Sequence, residues 1–124
     1  MKSLYTYGYA GRQAIDLLTL AQSLDASVAG IRFSPRSRIP AWNAGRLQKL
    51  LDERWLHILE LGNRNFKDGP VEFVDLEAGV ARVGELLVRQ PVILLWACAD
   101  LLRYHRRLAA EVIVIRFGVS VIHS

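Results

Sequence analysis

The sequence predicts a single α/β domain: a mainly parallel five-stranded sheet with helices on both faces, a Rossmann-like three-layer arrangement. Three observations predict it. Val92 to Trp96 is an unbroken apolar run, which a strand tolerates only when both its faces are covered, as in the middle of a parallel sheet under helices. Short β-branched or aromatic runs alternate with segments of helical apolar spacing, giving β-α-β-α-β-α-β-α-β. With 124 residues the chain can bury one core and is too short for two. Right-handed crossovers follow from chain chirality.

Leu4 to Tyr9 is the first strand, stopping at Gly8-Tyr9-Ala10-Gly11, where glycines allow a tight turn. The resulting G-x-x-G reads either as a phosphate cradle or as the ordinary steric need of a strand-to-helix turn. Arg12 to Leu24 is the first helix, with Ile15, Leu17, Leu18, Ala21 and Leu24 as its apolar stripe. Ser27 to Phe33 is the second strand, and its exit, Ile31 to Pro40, is the most basic loop of the chain. Two prolines exclude regular helix there and restrain the backbone that presents Arg32, Arg36 and Arg38. Those guanidinium groups read as a clamp for phosphate or carboxylate, or as a solvated surface.

Asn43 reads as an N-cap, with Trp42 and Leu47 placed as a hydrophobic staple, for a second helix that buries Leu47, Leu50 and Leu51 and ends near Glu53. Trp55 to Leu59 is the third strand. His57, flanked by apolar neighbours, reads as a hydrogen-bonded core residue or as a catalytic group. Leu61 to Pro70 is a turn-rich connection, either a lid or simply a loop. The third helix runs from Asp75 to Arg89, with Leu76, Val80, Val83 and Leu87 in helical spacing, and Pro91 ends it and opens the central strand. A fourth helix starts near Leu101 despite the β-branched run Val112 to Ile115, with Gly118 as its stop before a last strand, Val119 to His123.

Composition narrows the function classes. Hydrophobic residues make up 52% of the chain, yet no apolar run approaches the ~20 residues that span a bilayer. No membrane association is expected. The N-terminus lacks an apolar core followed by a small-residue cleavage site, so a cytoplasmic location is expected. A single cysteine excludes an intramolecular disulfide, and three histidines far apart offer no metal-ligand spacing, so neither metal nor cofactor is expected. The net charge of +4 matters through its distribution. No acid falls between Asp25 and Asp52, where Arg32, Arg36, Arg38, Arg46 and Lys49 all lie, and a second basic knot holds Arg103, His105, Arg106 and Arg107. If both reach the same sheet edge they form an anion site, and open α/β sheets bind ligands at the carboxyl ends of their strands.

Between the central strand and the fourth helix stand Cys98, Asp100, His105 and Arg106. A Cys98 thiolate beside His105, Arg106 and a helix N-terminus is a nucleophile of lowered pKa; a small buried filler is the alternative. Asp100 either pairs with His105 as acid and base or caps the fourth helix. Arg32 and Arg106 are the expected anion ligands, with Gly8 and Arg12 at the first turn. Tyr7, Trp55, Trp96 and Tyr104 lie at or near strand ends and the central turn. Aromatic walls rimmed by arginines suit a flat ligand carrying negative charge, a nucleotide or a base in a single strand. Core packing accounts for the same aromatics, and for Trp55 it is the better account.

The blocks Tyr5-Thr6-Tyr7-Gly8-Tyr9-Ala10-Gly11-Arg12, Ile31-Arg32-Phe33-Ser34-Pro35-Arg36-Ser37-Arg38, Leu61-Gly62-Asn63-Arg64 and His105-Arg106 together resemble the family called domain of unknown function 488, in the family's order across nearly the whole chain. The resemblance implies a small bacterial or archaeal α/β domain and no established reaction. Where the family has an acid two residues before the second-strand arginine, this chain has Gly30; where it has two cysteines around the central turn, this chain has Trp96 and Tyr104. Asp100, His105 and Arg106 are kept. These differences imply a narrower, more apolar cleft with the ancestral activity weakened or gone. The leading expectation is a pocket for an anionic small molecule, phosphorylated or nucleotide-like. A Cys98- or His105-dependent transferase or hydrolase stands second, and a nucleic-acid-binding module third. Oligomeric state is left open.

Overall fold

The computed structural model describes residues 1–32, 39–64, 70–96 and 104–123, with the side chains of the last segment described from residue 107. It contains five strands, β1 (Leu4–Gly8), β2 (Ser27–Gly30), β3 (Trp55–His57), β4 (Val92–Trp96) and β5 (Val121–His123). Four helices accompany them: α1 (Ala14–Leu24), α2 (Ala44–Leu51), α3 (Leu76–Arg89) and α4 (Tyr104–Phe117). The sheet is entirely parallel, in the order β3-β2-β4-β1-β5, so the expected three-layer α/β fold is the observed one. No helix among the described residues is long and apolar enough to cross a membrane.

The unbroken run in β4 has the expected cause. β4 is the middle strand, and Val92 to Leu95 are completely buried. Ile93 and Leu95 meet Leu17, Ala21, Trp42, Leu47 and Leu51 on the α1/α2 side. Val92 and Leu94 meet Val80, Val83, Leu87, Ala109 and Ile113 on the α3/α4 side. At ~1.5–3 kcal/mol per fully buried aliphatic side chain, this strand alone contributes a large share of core burial.

Several boundaries differ from expectation for local reasons. α1 begins at Ala14 because residues 9 to 12 are used in a turn, in which the Arg12 N–H donates to the Tyr9 carbonyl (3.0 Å) and Gly11 sits at φ 75°. β2 ends at Gly30 and β3 at His57, after which Leu59–Leu61 coil into a 3-10 turn. α2 stops at Leu51, where Asp52 takes φ 53°. Asp75 is the N-cap of α3, its carboxylate accepting from the Ala78 N–H at 3.2 Å. The β-branched run of α4 is helical because Ala109, Ala110 and Ile113 supply a buried stripe, while Ile115 is left exposed. Gly118, at φ 65°, ends α4 as expected.

Candidate functional site

The order of the strands decides where a crevice can open. From β1 the chain crosses toward β2, and from β4 it crosses the other way toward β5. Right-handed crossovers in opposite directions lie on opposite faces, and α1 does pack on one face and α4 on the other. β1 and β4 are hydrogen-bonded neighbours, so the chain diverges above their carboxyl tips, the arrangement that places ligand sites in open α/β sheets.

Arg32 belongs to this edge, but its guanidinium is not at a rim. Ile31 is buried on the α3/α4 side, so strand alternation turns Arg32 to the α1/α2 side, where it is 8% exposed. Nη1 donates to the Tyr9 hydroxyl at 2.8 Å and Nη2 to the Trp42 carbonyl at 2.7 Å. The Tyr9 ring stacks on Trp42, with centroids 4.4 Å apart and 14° between planes, and the Arg32 guanidinium lies 5.3 Å from the Tyr9 centroid. A buried guanidinium is tolerable only with its donors satisfied, and here they tie the exits of β1 and β2 to the turn Pro40–Trp42. Because β4 stands between β1 and β2, the Tyr9–Arg32 bond bridges over the β4 tip.

His57, opposite Gly30 in the β2–β3 ladder, places Nε2 at 2.7 Å from the Arg32 main-chain carbonyl. Arg12 is exposed and its guanidinium carbon lies over the buried Tyr7 ring, 4.4 Å from its centroid. Gly8 and the half-buried Trp96 stand opposite each other at the tips of β1 and β4, and the ladder runs one residue further through Tyr9 N–H to the Trp96 carbonyl (2.9 Å). Trp55 is at the amino end of β3 and belongs to the core. Its ring fills the space beside Gly30, where a Cβ would stand 2.4 Å from Trp55 Cη2.

The structure thus brings Arg32, Tyr7, Gly8, Arg12 and Trp96 to one edge. Cys98, Asp100, Arg36 and Arg38 lie outside the described residues, as do the side chains of Tyr104, His105 and Arg106. α4 begins at the same edge on the α3/α4 side, and Arg107 in its first turn stands 3.5 Å from Glu111. Sequence reasoning missed Tyr9 and Trp42 as partners of Arg32. The signal was available in strand parity, which carries residues 30 and 32 to the same side.

The opposite, amino edge has a hollow of about 400 Å³ lined in part by Asp25, Asp52, Glu53, Arg54, Gln22 and Gln90. Arg54 is engaged there by the Asp25 carboxylate (3.0 Å) and the Ala26 carbonyl (3.2 Å), so the remaining carboxylates make it unsuited to an anion. No group of three or more His, Cys, Asp or Glu among the described residues is disposed to hold a metal. Neither a protein-family model nor a curated protein matches the chain.

Proposed function

We propose that this protein binds a small anionic molecule, phosphorylated or nucleotide-like, at the carboxyl edge of its sheet. The observation that carries the reading is the divergence of the chain above the adjacent tips of β1 and β4. Of the two acid-free basic segments, residues 26 to 51 and 101 to 110, the described parts that stand at this edge are the exit of β2 with Arg32 and the start of α4, and their excess of cationic residue types favours an anion. Arg12 is the first contact: it is exposed, it lies over the Tyr7 ring, and it stands beside the first turn of α1, whose N–H groups add a favourable dipole. Arg32 serves this edge as a brace, with its donors directed at Tyr9 and Trp42.

The test is a thermal-shift panel of orthophosphate, AMP, ATP and glucose 6-phosphate, with indole as an apolar aromatic control. A ligand at a hundred times its Kd stabilises by about 2.7 kcal/mol, a shift of several degrees for a domain this size. At least one phosphorylated compound is expected to give such a shift. Arg12→Ala should weaken that compound about tenfold while leaving the unliganded Tm within about a degree, because its side chain is solvent-exposed. A response to indole alone, or to none of the anions, overturns the reading.

A further inference from the structure

We infer that His57 is a second anion contact of this edge, acting through protonated Nδ1; the inference rests on the anion-binding reading above. A carbonyl oxygen can only accept, so the 2.7 Å contact with the Arg32 carbonyl puts a proton on Nε2. The neutral ring then carries its lone pair on Nδ1, which has no hydrogen-bond partner among the described residues. His57 is half-buried at the carboxyl tip of β3. Taking up a proton turns Nδ1 from an acceptor into a cationic donor, and the Nε2–H bond to Arg32 survives the change. A histidine serving only as a fastener for β3 would use Nε2 and gain nothing from Nδ1.

The position also describes the ligand. β3 and β1 are three places apart in the sheet, about 14 Å at the usual strand spacing. Arg12 and His57 together therefore suit an elongated molecule with separated anionic groups, of nucleotide length, and a single sulfate occupies one contact at a time and so reads each of them separately. Among the described residues, the charged side chains on the elements around His57 are Arg32 after β2, Arg46 and Lys49 on α2, Asp52, Glu53 and Arg54 in the turn before β3, and Glu60 in the turn after it, which accepts from Arg82 at 2.8 Å. None of these residue types ordinarily titrates between pH 5.5 and 7.5, whereas histidine does. The chain holds two further histidines, His105 and His123, so the variant below is needed to isolate His57.

The experiment is calorimetric titration of the whole chain with sulfate, whose own charge is constant over this range, at pH 5.5, 6.5 and 7.5. Wild type is expected to bind about tenfold more tightly at pH 5.5 than at 7.5, as when only the protonated form of one histidine binds. His57→Gln keeps an N–H close to the place of Nε2, and with it the bond to Arg32, but has no counterpart of Nδ1. It should melt with wild type and bind sulfate weakly with a flat pH response. Nitrogen-15 spectra should show the His57 proton on Nε2 in the neutral free protein and both nitrogens protonated with sulfate at pH 6.5. A pH response retained in His57→Gln, or a neutral ring protonated on Nδ1, overturns the inference. Sulfate binding that is flat in pH, unchanged in His57→Gln and lost in Arg12→Ala removes His57 and leaves the anion site standing. No sulfate binding at any pH removes both.

Discussion

Arg32→Met separates a brace from a ligand arginine. The wild-type guanidinium is buried and its short bonds include those to the Tyr9 hydroxyl (2.8 Å) and the Trp42 carbonyl (2.7 Å). Hydrogen bonds to a charged group are worth about 1.5–3 kcal/mol each, and an acceptor left buried without a donor carries the same order of penalty. The cation–π contact with Tyr9 adds about 0.5–1 kcal/mol, and methionine recovers part of the apolar burial. Allowing for non-additivity, the loss is about 3–5 kcal/mol, large against the total stability of a small domain. Arg32→Lys keeps the charge but cannot fork to two acceptors, and should lose about half as much. Urea unfolding followed by tryptophan fluorescence measures both, with an unchanged m-value showing that the native state is compared with the same unfolded state. A cycle with Tyr9→Phe should give a coupling of about 0.5–3 kcal/mol. An Arg32→Met protein within about 0.5 kcal/mol of wild type, as an exposed arginine would give, refutes the brace.

Two further outcomes follow from the packing and the surface charges. Gly30→Ala puts a methyl group 2.4 Å from Trp55 Cη2; the overpacking costs about 1–3 kcal/mol against ~0.4–1 gained from a stiffer unfolded chain. The variant should be destabilised in urea, and Trp55→Leu in the same background should cost less than it does alone; equal costs would show that the ring does not fill that space. Glu77 in the first turn of α3 takes a bidentate pair of bonds from Arg116 at the end of α4 (2.9 and 3.0 Å). These bonds first, and the charge of Arg116 second, hold its carboxyl below the usual range. A lowered carboxyl stabilises above its unfolded value of ~4.3 and loses that contribution as pH falls through the folded value. Glu77→Gln should therefore be slightly less stable than wild type at pH 7 and indistinguishable from it well below pH 4, with added salt narrowing the gap at pH 7. A gap that persists in acid would show that the pair is not its origin.

What the sequence disclosed depended on how local the cause was. The β4 run and the spacing of Leu76, Val80, Val83 and Leu87 report directly on which faces are covered, and both elements stand where the pattern puts them. α4 kept its helix against a β-branched stretch because a buried stripe through Ala109 and Ile113 outweighs χ1 stiffness. The pairing of Leu4 with Val92, and of Val28 with both Ile93 and Trp55, joins distant segments. No periodicity encodes it. The partners of Arg32 were hidden for the same reason: a basic loop reads as an anion clamp or as a solvated surface until the fold brings Tyr9 and Trp42 around it. Gly30 looked like the loss of an acid, and only the position of Trp55 gives that glycine a steric reason.

The hydrogen bonds at the carboxyl edge form one connected chain, and this bears on how the site would work. His57 holds the Arg32 main chain, the Arg32 side chain holds Tyr9 and Trp42, and the Tyr9 main chain holds Trp96. The tips of β3 and β4 and the exits of β2 and β1 are thus fastened together by side chains as well as by the ends of the sheet's own ladders. Groups held this way need little ordering when a ligand arrives, and each side chain left unordered would cost about 0.5–1.5 kcal/mol on binding. Arg32→Lys, folded but with one fork lost, should therefore weaken sulfate binding several-fold even though its cation is directed at Tyr9 and Trp42. Restoring the shape without the charge, with Arg32→Gln, separates the two effects: a brace is partly rescued by glutamine's remaining donors, whereas an arginine that meets the anion directly is not. Calorimetric affinities for Arg32→Lys and Arg32→Gln at one pH decide between them, and a glutamine variant that binds sulfate far more weakly than the lysine variant would return Arg32 to direct contact with the ligand.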